Sequence, residues 1–332
     1  MTATSRFLVV TPTRNEGPFI LEWVAWYKML GFDDILILSN DCTDHSPQML
    51  DLLDQEGWIS HQPHQPKVGK APFISAFSAA RKHPLIASAD WMFLCDIDEF
   101  LVFHEGDRTI QHFVGSEPLD VAGIAFHWKV FGTSRLQTWE DGLVHRTFTR
   151  AAHKKSDANR FFKSLVYKPQ RFKNFRSHRP VKFAGEWGAA PNVWINSAGD
   201  VLEDFDPNSG TLQMTKPELV THSNAQLNHY ITRTRENFAF KKGRLSASSL
   251  TDRYTGRFLN KFNRNERSDR SVHAYMNRFD VAYANILSLP GIRRLHHLCC
   301  ADYIVSMCTE RNDEPEKDDR YIHHMHLADQ SN

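Results

Sequence analysis

A chain of 332 residues with 41% hydrophobic and 12% aromatic content can bury a large core, as one big domain or one domain carrying an extension. The formal net charge of +1 gives the whole chain no bias toward nucleic acid or a membrane surface. No apolar run reaches the ~18 residues that a transmembrane helix needs.

Arg6 to Val10 is a short β-branched run that reads as a strand, and Thr11-Pro-Thr-Arg-Asn-Glu-Gly-Pro18 after it reads as a loop. Ile20, Trp23, Val24, Tyr27 and Leu30 then recur at helical spacing, which predicts an amphipathic helix over 19–30 stopped by Gly31. A second buried strand is expected at Ile35 to Leu38, ending in Ser39-Asn-Asp-Cys-Thr-Asp44. Ser46 can cap a helix from Pro47 to Glu56, with Pro47 at the favoured first helical position. Trp58 to His61 reads as a short strand and Ala71 to Lys82 as a helix with Phe73, Phe77 and Ala80 on one face. Strands alternating with helices in this way imply a mostly parallel sheet covered on both faces, an α/β fold whose ligands sit beyond the carboxyl ends of the strands.

The apolar run Trp91 to Cys95 leads straight into Asp96, Asp98 and Glu99. If the strand continues, its period of two puts Asp96 and Asp98 on one side and Ile97 on the other. A buried strand that ends in three carboxylates needs a reason, because unpaired buried charge is expensive. Oxygen ligands of this kind suit Mg²⁺ or Mn²⁺ held together with the phosphates of a substrate. A surface turn after a strand is the plainer alternative.

Past Phe103 the regularity weakens. Val121 to Trp128 and Val144 to Thr149 read as strands, and residues 228–250, 271–287 and 293–308 as helices, with a charged, His-rich and mobile tail from Thr309. Charge is unevenly spread: residues 1–120 carry 8 Lys/Arg against 17 Asp/Glu, whereas residues 146–182 carry 12 Lys/Arg against one acid, Asp157. Phe161, Phe162, Tyr167, Phe172 and Phe175 interleave with that basic stretch, a pattern also used on nucleic acid. The stretch is short in a chain of near-zero net charge, so it is read as holding a diphosphate or pairing with the acidic N-terminal half, with no nucleic-acid partner. Cys42, Cys95, Cys299, Cys300 and Cys308 form an odd set without zinc-type or Cys-x-x-Cys spacing, and residues 1–10 lack a secretory pattern. A cytoplasmic protein, at most peripheral to an inner membrane through its basic patches, is the expectation.

Together the motifs Arg14-Asn-Glu16, Glu22-Trp-Val-Ala-Trp-Tyr27 and Asp96-Ile-Asp-Glu-Phe100 resemble a family 2-type glycosyltransferase of the GT-A fold, in the subgroup with an Asn-Glu loop and an Asp-x-Asp-Glu-Phe motif. Phe131-Gly-Thr-Ser134, Asp141-Gly-Leu143, His178-Arg-Pro180 and Asn228-His-Tyr230, with Lys241 and Lys242 after it, extend the resemblance over about residues 6–250. It implies a GT-A-like αβα sandwich over residues 1–228, followed by a mainly helical C-terminal extension over 229–332. It also implies a metal-dependent, inverting transfer from a nucleoside diphosphate sugar to a glycan or glycolipid acceptor.

On that resemblance Asp96 and Asp98 correspond to the metal and ribose contacts, with Asp98 the first choice as direct ligand of Mn²⁺ or Mg²⁺. Thr11, Asn15, Glu16, Asp41, Lys70 and Asp96 would surround the donor. Asn15 and Asp41 read equally as turn-forming residues, and Lys70 as a solvated lysine. A histidine far along the chain often completes such a metal site; of 18 histidines, His178 comes first and His229 second. Inversion needs a general base, for which Asp141 and Glu140 are the candidates, with Glu186 behind them. Trp139, Trp187 and Trp194 are available to stack on sugar faces. Two other classes compete: a nucleotidyltransferase on a similar scaffold, disfavoured by the acidic Thr11–Glu16 loop, and an inactive sugar- or partner-binding module, disfavoured by the intact Asp96/Asp98 pair.

Overall fold

The run Phe7–Val10 lies at the heart of the sheet as β1 (Phe7–Thr13), buried at every position. The computed structural model describes residues 5–115, 120–209, 214–241 and 250–331. After β1 come α1 (Gly17–Met29), β2 (Asp34–Ser39), α2 (Ser46–Gln55), β3 (Ser60–Pro63), α3 (Pro72–Ala80), α4 (Pro84–Ser88), β4 (Trp91–Leu94), β5 (Glu99–Phe103), α5 (Ile110–Val114) and β6 (Gly123–Val130). Next are α6 (Val144–Thr147), β7 (Arg150–Ala151), β8 (Phe162–Tyr167), β9 (Phe172–Phe175), β10 (Pro180–Phe183), β11 (Trp194–Asn196) and β12 (Ala225–His229). The chain ends in α7 (Arg235–Lys241), α8 (Gly256–Phe262), β13 (Arg267–Ser268), α9 (Met276–Leu287), α10 (Ile292–Arg311) and α11 (Asp319–Gln330).

Nine strands form one sheet in the order β3-β2-β1-β4-β8-β6-β12-β5, with β11 also paired to β6. The β3–β2, β2–β1, β1–β4, β6–β12 and β6–β11 pairings are parallel; β4–β8, β6–β8 and β12–β5 are antiparallel. The fold is therefore α/β, with a mostly parallel central sheet. Its left half follows the strand–helix alternation of the sequence, because strands buried on both faces are continuous apolar runs.

Helix α1 departs from expectation. It is not amphipathic: every residue except Lys28 is buried, because α9 and α10 pack on its outer side. Gly31, at φ +90°, ends it, and a side chain there would meet Gln111 Oε1 at 2.3 Å. Beneath that C-terminal cover sits one charged group, Glu22. Its carboxylate accepts from the backbone N–H of Val144 (2.8 Å) and His145 (2.9 Å) and pairs with His145 Nδ1 at 2.6 Å. The expected strand at 144–149 is thereby replaced by α6, whose otherwise unsatisfied N-terminal N–H groups Glu22 caps from across the molecule.

Three further expectations change. The helix drawn over 228–250 is instead the end of β12 followed by α7, and Lys242 lies outside the described residues. The tail from Thr309 is ordered, continuing α10 and then forming α11. Trp139 and Trp194 are core residues rather than sugar platforms, Trp194 stacking on Phe205 at 4.3 Å.

Docking of α11 relies on charge. Glu236 on α7 accepts from Trp139 N (2.7 Å) and from Arg320 Nη1 (2.9 Å) and Nη2 (3.2 Å), and also pairs with Arg311. Burial opposes ionisation, yet the Arg320 bonds, the Trp139 N–H and Arg311 hold the Glu236 carboxyl below its usual range. A depressed carboxyl pKa stabilises the fold above the unfolded value of about 4.3 and ceases to do so as the pH falls through the folded value. Hydrogen exchange in α11 should therefore accelerate below about pH 4, and Glu236→Gln should exchange fast already at pH 7. Equal α11 protection in variant and wild type at pH 7 would refute this.

Candidate active site

The aromatic residues of α1 explain how the acidic motif is held. Strand β4 stops at Leu94, so Asp96 and Asp98 do not share a strand face; they lie in a tight turn into β5, closed by Glu99 N to Asp96 O at 3.1 Å. Trp23 Nε1 donates to Asp96 O (3.0 Å), Tyr27 Oη to Glu99 O (3.1 Å) and Trp26 Nε1 to Leu101 O (2.9 Å). One buried helix face thus grips the turn at three backbone carbonyls. Trp23→Phe removes one grip; it should lower unfolding stability by about 1 kcal/mol in urea titration and loosen the turn. An unchanged urea midpoint would show that the bond does not contribute.

Each carboxylate has its own environment. Asp96 Oδ2 pairs at 2.8 Å with Nζ of Lys163, a fully buried lysine on β8, while Asp96 Oδ1 is buried without a hydrogen-bond partner. Glu99, also fully buried, accepts from Asp96 N (2.9 Å) and Trp128 Nε1 (2.8 Å) and stands 3.3 Å from Lys163 Nζ. Burial pushes the Glu99 carboxyl well above its usual range, beyond what Lys163 gives back. Burial alone would lower Lys163, but Asp96 and Glu99 raise it, so it stays charged. Asp98 accepts from the Tyr230 N–H through its carbonyl (2.9 Å), and its Oδ1 lies 3.4 Å from His229 Nε2. Burial works against its charge, yet His229, Lys241 and Arg233 hold the carboxyl far below the ordinary range.

His229 and Arg233 arrive by strand register. β12 pairs with β5 so that His229 stands opposite Glu99, which brings it and the segment after it against the turn. Arg233, buried and at φ +48°, bonds Glu16 Oε2 at 2.9 Å and lies 3.5 Å above the Phe19 ring. Its Nε and Nη2 have no partner. A left-handed, buried, half-satisfied arginine is costly to hold. On the far side of His229, Trp128 lies between two imidazoles, 4.1 Å from His229 and 5.4 Å from His178. His178 Nδ1 bonds Phe162 O at 2.9 Å. Burial, then Lys163, pushes His178 down to about 3, so it is neutral with Nε2 left as an acceptor.

His178 also lines a cavity of about 520 Å³ with Trp128, Phe161, Ile231 and Phe262. Arg176, Arg179, Arg253, Arg257 and Lys261 line it too, and among the described residues no carboxylate does. Of the basic segment, Lys163 is a buried counter-charge and Arg176 and Arg179 form part of a cationic cavity wall, while Arg146, Arg160 and Lys168 pair with Asp280, Asp157 and Asp90.

The structure thus gathers Glu16, Asp96, Asp98 and His229 at one site, with His178 behind Trp128. The other candidates are placed differently. Thr11 is buried with its hydroxyl turned to Pro12 O (3.3 Å). Asn15, at φ +53°, clasps Thr43 through Oδ1 (2.8 Å) and Nδ2 (2.9 Å), as a turn residue would. Asp41 is exposed at φ +45° and Lys70 is exposed before α3. Asp141 faces the C-terminal helices, 3.0 Å from His296 Nε2; burial opposes its charge, but His296 and its neighbours hold it at about 2. Glu186 is an exposed loop residue. Lys163 and Arg233 were not legible as site residues. A lysine inside the apolar run Phe161-Phe-Lys-Ser-Leu-Val166 is the signal that points to the first, and no spacing points to the second.

A glycosyltransferase family 92 sequence model matches residues 10–278. A glycosyltransferase family 92 protein of rice, Oryza sativa subsp. japonica, is 30% identical over 105 residues, which is 31% of this chain and 17% of the rice protein's length. Among solved structures, S. aureus TarS 1–349 aligns over 98% of this chain and 92% of its own with 12% identity and a TM-score of 0.33. Its complex with UDP-GlcNAc aligns over the same shares with 10% identity and a TM-score of 0.35. Although the motifs resemble the family 2 type, the match running from β1 through the carboxylate turn and β12 into α9 gives the family: the chain belongs to glycosyltransferase family 92.

Proposed function

We propose that this glycosyltransferase moves a sugar from a nucleoside diphosphate sugar to a glycan or glycolipid acceptor, with Mn²⁺ or Mg²⁺ and inversion at the anomeric carbon. The observation that carries the reading is Asp98 lying 3.4 Å from His229 Nε2 at the end of β12, with its charge further supported by Arg233 after that strand and Lys241 on α7. Leaving-group departure builds negative charge on a diphosphate, and preorganised cations at that point are a large catalytic term.

The donor set fits a hard divalent ion. Asp96 Oδ1 is a buried oxygen with no partner, the Asp98 carboxylate is ionised, and His229 Nε2 is close enough to it to share one ion. Such an ion, when bound, neutralises the leaving diphosphate. Asp98 would be its direct ligand, with Asp96 and His229 beside it and His178 a more distant candidate. Arg233, with two unsatisfied donors on its guanidinium, would grip the phosphate oxygens, and Lys241 would add charge. Glu16 would orient Arg233 and face the ribose. Strand order supports a division of the surface: the β1–β2 ends for the nucleoside, the β4–β5 turn for the diphosphate, and the β6–β12 side for the acceptor. The cationic cavity on that acceptor side suits an acceptor bearing phosphate or carboxylate.

Calorimetric titration of UDP and GDP, each with and without Mn²⁺, tests the reading. One nucleotide should bind in a metal-dependent way, and Arg233→Met should weaken it at least tenfold while leaving the metal requirement intact. Binding of neither nucleotide under any metal condition would overturn the proposal in favour of an inactive binding module.

A further inference from the structure

Away from that site, the loop after β6 meets α10 and α11 in a cluster that hydrogen bonding alone does not account for. His296 and Cys300 sit one turn apart on α10 and share a face, so both reach the same point. His296 Nε2 lies 3.0 Å from Asp141 Oδ2 and 3.7 Å from Cys300 Sγ. The ligating atoms of Asp141, His296 and Cys300 all fall within 4.8 Å of one another, and so do those of Asp141, His297 and His324. His297 and His324 meet nitrogen to nitrogen, Nδ1 to Nδ1, at 3.2 Å.

Three imidazoles and a thiol around one carboxylate make a poor salt bridge, since a single Asp can neutralise only one imidazolium. They make a good metal site. With Zn–N and Zn–O near 2.0–2.1 Å and Zn–S near 2.3 Å, the edges of a tetrahedron are about 3.3 Å between two hard ligands and about 3.6 Å from nitrogen to sulfur. The observed 3.0 and 3.7 Å are close to those edges. His296 and Cys300 are buried while Asp141 is partly exposed, so the set is closed by protein on one side and open to a water on the other.

We propose that Asp141, His296 and Cys300 bind a zinc-class ion that pins α10 to the catalytic module. Binding takes the His296 Nε2 lone pair and displaces the Cys300 thiol proton to solvent. Thiolate and imidazole donors select Zn²⁺ over the Mg²⁺ or Mn²⁺ suited to the carboxylate turn, so the two sites differ in metal chemistry. Asp141 is then a ligand rather than a general base. His297 and His324 lie against this centre and present the competing triad.

Metal analysis of the full chain, purified without added metal and dialysed, tests the assignment together with Co²⁺ absorption. About one equivalent of zinc should survive dialysis. Co²⁺ should give a tetrahedral spectrum with a thiolate-to-cobalt charge-transfer band. Cys300→Ser should abolish that band, and Asp141→Asn, a change at a partly exposed loop, should weaken zinc at least tenfold. Asp98→Ala should keep the zinc, which separates this centre from the nucleotide-linked metal. His324→Ala should keep it too. A protein that takes up neither Zn²⁺ nor Co²⁺ sinks the proposal. So does a charge-transfer band that survives Cys300→Ser, or zinc lost in His324→Ala or Asp98→Ala but retained in Asp141→Asn.

Discussion

Asp98→Asn should reduce sugar transfer by about 10²–10³-fold while leaving the chain folded. The substitution is nearly isosteric and keeps the main-chain bond from the Tyr230 N–H to residue 98. What it removes is the one negative charge to which His229, Arg233 and Lys241 are jointly coupled. An amide is a poor ligand for a hard divalent ion, so the cation that would offset the leaving diphosphate is lost with the carboxylate. Metal-dependent nucleotide binding should fall with the rate, because on the proposed reading ground-state and transition-state contacts with the diphosphate would share this ion. Raising Mn²⁺ should recover part of the rate if weakened metal affinity is the cause. Chelation of the wild type should reproduce the defect, reversibly. The measurement is initial rate against Mn²⁺ concentration for both proteins, once a donor is known from nucleotide binding. A variant within threefold of wild type at every Mn²⁺ concentration would mean that Asp98 is not the metal carboxylate.

The parts of this site that could be read in the sequence are those whose meaning is local. An apolar run that breaks into Asp-Ile-Asp-Glu announces a polar strand end whatever surrounds it, and the helix 19–30 declares itself by spacing. Where neighbours decide, the sequence is silent. Residues 144–147 are a helix because a carboxylate from α1 caps them, 122 positions earlier in the chain. Helix α1 lacks a polar face because α9 and α10, more than 250 residues on, cover it. Trp23, Trp26 and Tyr27 stand out as a motif, yet their role as donors to the turn's carbonyls depends on how α1 crosses β4 and β5. Arg233 is hidden for the same reason. Only the antiparallel β12–β5 register and the left-handed bend after it bring a guanidinium to the carboxylates. Helices α9 and α10, read only as part of a helical extension, prove to be the outer wall of the core because their apolar residues pack on the outer face of α1.

Lys163→Met should destabilise the fold by about 3–5 kcal/mol, the largest single loss expected among the buried polar groups. Phe162 to Val166 on β8 is an apolar strand wedged between β4 and β6, and Lys163 is its one charged, fully buried member. It neutralises Asp96 at 2.8 Å and stands 3.3 Å from Glu99, neither of which can reach bulk water freely. Methionine fills a similar volume, so the loss is of counter-charge rather than packing. Without Lys163 the Glu99 carboxyl, already raised by burial, rises further. A raised carboxyl pKa means that the folded chain holds a proton which the unfolded chain releases at about 4.3. Stability of the variant should therefore decline as the pH climbs from about 4 toward neutrality, and more steeply than that of the wild type, whose Glu99 carboxyl is already raised by burial. Urea unfolding at pH 5 and pH 7.5 reads both effects. Adding Glu99→Gln to Lys163→Met should return part of the lost stability, because the double change removes the orphaned charge together with its partner. A loss below about 1 kcal/mol in the single variant, with a pH dependence equal to that of the wild type, would mean that Lys163 does not set the charge state of Asp96 and Glu99. In that case the buried lysine serves the donor instead, as a cation facing the diphosphate, and its variant should weaken nucleotide binding without touching stability.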